Sequence, residues 1–191
     1  ADNSGSQEWQ ISSIKLYRNI LKNHPTYSRT DQATFFLGSA LQDTGKLDDA
    51  ANAFKRLVKL YPTSSYVPDA YVLIGEYYFE KDNAFGALKA YLRATEFKDS
   101  DKYPFALYKL GWCYYNVGEY AKGIDTMKMV VDISNAQAGE AKAIQLQEEA
   151  LKDLVRFFAD ADAMDEAIEY FTKLGKKDLI KAMLMQLAST Y

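Results

Sequence analysis

The residues that could do chemistry in this chain are few, and each lacks the company its chemistry needs. Gly38 and the pair Gly45-Lys46 stand in the order of a phosphate-binding loop, in which glycine N–H groups cradle phosphate oxygens and a lysine reaches the outer phosphate. That loop needs four residues between its glycines and here there are six, while the spacing of apolar residues puts Gly38 inside a helix rather than after a strand. His24 is the single histidine, so neither a zinc site nor a catalytic triad finds a second imidazole, and its place before Pro25 fits a turn. Asp160, Asp162 and Asp165 begin like a calcium loop, but Met164 takes the fifth position and no glycine takes the sixth, which leaves turn acids in solvent. Cys113 is the one cysteine, lying between Trp112 and Tyr114. It forbids an internal disulfide and reads as a small buried hydrophobe. Met127, Met129, Met183 and Met185 read as core filler, and the scattered carboxylates offer no acid–base pair. The expectation is a chain that is not an enzyme, with no catalytic residue, cofactor or metal.

The bulk composition points the same way. A chain of 191 residues with 48% hydrophobic residues can bury a substantial core. Its 26 acidic and 23 basic residues interleave to a net charge of -3, so there is no basic footprint to neutralise phosphates and no nucleic acid is expected as partner. No stretch reaches the roughly 18 consecutive apolar residues of a membrane span, and no charged-then-apolar leader opens the chain. The small polar opening, Ala1-Asp2-Asn3-Ser4-Gly5-Ser6, sets residues 1–7 apart as disordered or linker.

What would position any functional side chain is a repeat. Gly38, Gly75 and Gly111 each follow Leu or Ile, are separated by 37 and 36 residues, and precede Leu41, Tyr78 and Tyr114 by one helical turn. Twelve residues after each glycine stands a small residue, Ala50, Ala87 or Gly123, and four further on a large one, Phe54, Tyr91 or Met127. That pattern is two helices per repeat, each with one buried stripe, the glycine letting the neighbouring helix approach closely. Thr44-Gly45-Lys46 and Val117-Gly118-Glu119 supply positive φ where the first helix ends. Asp48-Asp49 and Asp165-Glu166 put acid in the opening turn of the second, where the helix dipole favours it.

A large residue, Leu-Gly, Tyr, Ala, Phe and Pro at these offsets resembles the tetratricopeptide repeat. The resemblance implies an all-α fold: an α-solenoid of antiparallel helix pairs in a right-handed superhelix with a concave inner face. Repeat starts then fall at Asp31, Pro68, Pro104 and Glu148, giving a single solenoid over 8–191. It has four full repeats near 31–67, 68–103, 104–147 and 148–180, and partial repeats at 8–30 and 181–191. Tyr17, Ile20 and Pro25 match a second helix at one end; Leu184, Leu187, Ala188 and Tyr191 match a first helix at the other, as in a piece of a longer array whose exposed end would favour self-association. The interval before Glu148 is longer by about two helical turns, placed in residues 134–147, where a loop at 135–139 precedes a helix from about Glu140 to Ala159. This excess is either a tolerated insertion or a projecting partner surface.

The resemblance also implies the work: a protein-interaction scaffold holding a peptide, a helix or a partner domain in the concave groove. The alternatives are a structural spacer between domains, or the non-catalytic region of a larger enzyme. Members that clamp a terminal carboxylate use Lys, Asn and Arg at positions matching Phe35, Ser39, Leu73 and Lys109, and only Lys109 is basic here, so that clamp is not implied. The inward face of the first helices reads Gln32, Phe35, Ser39 and Gln42, then Asp69, Val72, Glu76 and Phe79, then Phe105, Tyr108, Trp112 and Tyr115, then Glu149, Lys152 and Arg156. Phe35, Phe79, Phe105, Tyr108, Trp112 and Tyr115 are the candidate partner-binding residues, because rigid rings recur as binding hot spots. The competing reading packs these rings against the adjacent repeat. Tyr61-Pro62-Thr63-Ser64-Ser65-Tyr66 and Tyr77-Tyr78-Phe79, with a period above 34, are similar to bacterial cell-envelope members of the family, the outer-membrane assembly lipoprotein and the periplasmic TolA-binding protein. That similarity implies a periplasmic or outer-membrane-associated home, with the cytoplasm as the alternative.

Overall fold

The computed structural model describes residues 3–136 and 141–188, with side chains over 8–136 and 141–185. Among the described residues there are ten helices and no strand. They fall into two compact units, residues 1–102 and 103–191, whose boundary lies within a residue of the junction between the second and third repeats.

The first unit holds α1 (Asn3–Asn23), α2 (Thr30–Asp43), α3 (Leu47–Leu60), α4 (Val67–Glu80) and α5 (Ala84–Ala94). Each packs on the next in chain order, as short connections between antiparallel neighbours dictate. Helix α1 reaches back to Asn3, so the segment set apart as linker is helical over most of its length. Once a helix is nucleated, each added residue gains one backbone hydrogen bond without needing burial. Among the described residues of α1, Ile14 enters the core, beside Leu41, Phe54, Leu57 and Ile74.

The repeated glycine has a structural cause. A Cβ on Gly38 would stand 2.5 Å from the Phe54 ring, on Gly75 2.7 Å from the Tyr91 ring, and on Gly111 3.1 Å from Met127. The large residue of each second helix therefore sits in the notch left by the glycine of the first, and Phe54, Tyr91 and Met127 are all fully or almost fully buried.

The first helices also end alike. After α2, Gly45 takes φ +72° and the Lys46 N–H donates to the Leu41 carbonyl at 2.9 Å. After α4 the left-handed position belongs to Asp82, φ +53°, and Asn83 N–H donates to Tyr78 O at 2.9 Å. These are Schellman turns, and they aim the next helix back along the first. Asn83 then caps α5 by accepting from the Gly86 N–H.

The second unit holds α6 (Tyr103–Asn116), α7 (Tyr120–Ala136), α8 (Ala141–Asp160), α9 (Met164–Lys173) and α10 (Lys177–Ala188). Helices α6, α7 and α8 pack in succession, α6 also touches α8, and α10 lies against α8 and α9. The excess length is shared: α7 has 17 residues against 14 in α3 and 11 in α5, and α8 has 20. Asn135 and Ala136 belong to α7 rather than to a loop, because that stretch lacks a breaker before Gly139; residues 137–140 lie outside the described residues. In the fourth repeat Val155 stands where the others have glycine, and Phe171 is buried against Phe158, ring centroids 5.6 Å apart. Gly118, Asp162 and Gly175 close α6, α8 and α9 with positive φ. Helix α10 starts at Lys177, ahead of the expected boundary at 181; Leu184 and Met185 are exposed on it, while the side chains of Leu187 and Tyr191 lie outside the described residues.

Replacing Phe54 by Ala empties the Gly38 notch and should cost about 3–5 kcal/mol. Chemical denaturation measures it, and a loss below about 0.5 kcal/mol, the range of surface positions, would show that the ring is not a core residue.

Candidate functional site

The inward positions read from the helical wheel are all partly or fully exposed except Val72, which is 5% exposed and belongs to the core of the first unit. Val72 falls on the flank of α4 that faces its neighbours, so an inward role for it is corrected. The candidate rings divide between the units and have different surroundings.

In the first unit Phe35 stacks on Tyr66 at 4.7 Å and tilts against Phe54 at 5.7 Å. The Gln32 amide donates to the Tyr66 hydroxyl at 3.0 Å and Ser64 donates to Asp31 at 2.6 Å, which fastens the turn before α4 over Phe35. Phe35 is therefore half covered by its own repeat, and Phe79, on α4, is also half-buried.

In the second unit the α6 rings and α8 build one polar–aromatic seam. Asp153 accepts from the Tyr108 hydroxyl at 2.7 Å and from the Trp112 indole N–H at 3.0 Å. The Phe157 ring meets Trp112 edge-on, centroids 5.1 Å apart, and stacks on Tyr115 at 4.6 Å. Arg156 Nε donates to the Tyr115 hydroxyl at 2.9 Å, and that hydroxyl donates to Asp160. The guanidinium also lies 5.1 Å from the Tyr115 ring centroid, within cation–π range. Phe105 lies at the start of α6, with Lys109 Nζ 5.5 Å from its centroid.

The electrostatics follow from this packing. Burial, reinforced by the hydrogen bond to Asp153, pushes the Tyr108 phenol up to about 12, so it stays a donor throughout the physiological range. Burial, then the bond to Asp160, raises Tyr115, opposed by Arg156. The seam holds donors and acceptors already matched to each other and no nucleophile. Cys113, on the opposite side of α6, is fully buried, and burial pushes its thiol up to about 12. It is an inert core atom.

The structure thus brings Tyr108, Trp112 and Tyr115 together and supports the packing reading for their polar ends, while each ring keeps one partly exposed side. Asp153 and Asp160, which hold the rings, were missed by the sequence reading, which placed Asp160 among solvated turn acids. The available signal was the i, i+3, i+7 spacing of Asp153, Arg156 and Asp160, which puts all three on one face of α8.

Successive antiparallel helix pairs, with a glycine of the first helix notched against a large residue of the second, define a helical-repeat protein. The comparisons name the class: tetratricopeptide repeat models match residues 12–65, 37–104 and 105–133, and the chain belongs to the tetratricopeptide repeat family. Its fold is the α-solenoid of such repeats, and repeats of this family are in general protein-interaction scaffolds. Among solved structures, a MamA protein is similar at 26% identity with TM-score 0.68, over 93% of this chain and 87% of that one. A Podosopora anserina kinesin light chain with nearly identical TPR-like repeats is 12% identical with TM-score 0.62, over 93% and 88%. A tetratricopeptide repeat protein of Parabacteroides merdae ATCC 43184 is 13% identical with TM-score 0.59, over 94% and 73%. The last two show the fold alone. No curated protein matches the sequence.

With Trp9, which is 77% exposed, replaced by Phe, the emission of Trp112 should be blue-shifted and only partly accessible to acrylamide. Asp153→Ala should shift it to the red and raise quenching. A Trp112 quenched as freely as Trp9 would contradict the seam.

Proposed function

We propose that the chain binds a protein partner, as a peptide, a helix or a domain surface, on the face formed by α6 and α8 of the second unit, with Tyr108, Trp112 and Tyr115 as the anchor. The observation that carries this reading is the fastening of these rings to Asp153, Arg156 and Asp160. Aromatic rings already held in one rotamer lose little entropy on binding, and Trp, Tyr and Arg are the residues that dominate measured interfaces. Phe105 extends the anchor along α6, and Phe35 and Phe79 give the first unit aromatic positions of the same kind. The ligand class favoured is a segment with apolar side chains to lie on the rings and a donor or acceptor to meet Arg156 or Asp153. The setting we favour is a bacterial cell envelope, on the strength of the Tyr61–Tyr66 and Tyr77–Phe79 strings. No helix among the described residues is long and apolar enough to cross a membrane.

Affinity capture from the source cell with the intact protein tests the reading. Trp112→Ala should weaken binding of the captured partner by about 2 kcal/mol or more with helicity retained, while Leu60→Ala, an exposed position on α3, leaves it unchanged. Undiminished binding by Trp112→Ala, and by Arg156→Ala beside it, would move the interface off this face.

A further inference from the structure

We infer that the first unit carries a second docking surface, a cationic groove between α3 and α5 that receives an acidic, apolar-studded segment of a partner protein. The groove encloses about 510 Å³ and is floored by Tyr71 and Tyr78 of α4. Lys55 of α3 and Lys89 and Arg93 of α5 line it, and no carboxylate does. Phe85 stands at its rim with 69% of its surface exposed, the most exposed phenylalanine among the described residues.

Two of the three cations that line the groove have no acidic neighbour within ion-pair distance among the described residues, which leaves their charge to a ligand. Arg18, Lys81, Lys102, Lys122, Lys128 and Arg156 each have an acidic neighbour within ion-pair distance. Among the described residues neither Lys55 nor Lys89 has one; Lys55 Nζ instead lies 4.6 Å from the Tyr78 ring centroid and 5.2 Å from that of Tyr77. Arg93 lies over Tyr71 at 5.7 Å while meeting Glu96 at 2.6 Å. Asp48, which feels the charge of Lys55, already accepts from Tyr77 and pairs with Lys81. In a chain of net charge -3, a groove lined by three cations, two of them over tyrosine rings, with no carboxylate in its lining, is complementary to carboxylates. Phe85 and the ring floor add apolar surface for side chains between them. Three cations are too few for the phosphate footprint of a nucleic acid, which leaves an acidic protein segment as the occupant.

The groove is built to stay open. Gly86 carries no Cβ because the Tyr78 ring lies 2.8 Å from where one would be, and its N–H is held by Asn83, so the start of α5 is fixed against α4. This surface lies on α3 to α5 and is distinct from the α6–α8 seam, so the two readings fail separately.

Fluorescence anisotropy with the intact protein tests it, using a short fluorescein-labelled peptide of alternating Glu and Phe, its Lys-for-Glu counterpart, and an oligothymidylate of similar length. The Glu peptide should bind with an affinity that falls as salt rises, and Lys55→Glu combined with Lys89→Glu should weaken it about tenfold. Phe85→Ala should also weaken it, and Lys89→Ala, at an exposed position, should act in the same direction without threatening the fold. Lys15→Glu on α1 and Trp112→Ala should leave it unchanged. The proposal is overturned if the Glu peptide does not bind, if the double variant binds it as well as the native chain, if Trp112→Ala alone abolishes binding, or if the Lys peptide or the oligonucleotide binds as well.

Discussion

The stack depends on a notch and the residue that fills it. A helix-interior glycine costs about 1 kcal/mol relative to alanine, and burying a large aromatic ring is worth several times that. At Gly38 and Gly75 the glycine exists because a ring from the partner helix occupies the volume of the missing Cβ, and at Gly111 the Met127 side chain does the same. Gly123 extends the arrangement to a third helix, since a Cβ there would stand 3.2 Å from Phe157 and 3.3 Å from the Gly111 carbonyl. That contact seats α7 close to α6 and α8, and Phe157 is the ring on which Trp112 and Tyr115 rest. The notch in the core and the seam on the surface are thus two sides of one packing layer.

The notch was readable from the chain because it is a matter of period: glycine, small residue and large residue recur at fixed offsets, and helix geometry converts the offsets into contacts. Turn chemistry was half readable. Gly45 and Gly118 announce positive φ, whereas Asp82 and Asp162 adopt it with no mark of their own, as aspartate tolerates the left-handed region but does not demand it. The fourth repeat keeps only part of the cue, since Val155 replaces the glycine while Ala167 and Phe171 hold the small and large positions. The rings of the seam were visible as a stripe on one helix. Their tethers were not, because Asp153 and Asp160 come from a helix more than forty residues away in the chain, and only packing decides which acids a ring will meet.

The two surfaces proposed for partners differ in what they would offer. In the α6–α8 seam the polar ends of the rings are satisfied within the protein, so what remains for a partner is rigid apolar area with a fixed guanidinium beside it. In the α3–α5 groove Lys55 has tyrosine rings beneath it, and among the described residues neither Lys55 nor Lys89 has an acid within ion-pair distance, so what remains is unmatched charge. The proposed seam would favour shape and apolar contact, and the proposed groove steering by charge.

The claim on which all of this rests is that the glycines are forced by the rings opposite them. Gly38→Ala in the intact chain, followed by chemical denaturation, tests it most directly because the two possible causes give opposite signs. If the Phe54 ring fills the notch, Ala should destabilise by about 1–3 kcal/mol through overpacking, and combining it with Phe54→Leu should cost less than the sum of the two single changes. A gain of about 1 kcal/mol from Gly38→Ala, as an unobstructed helix interior gives, would contradict the account.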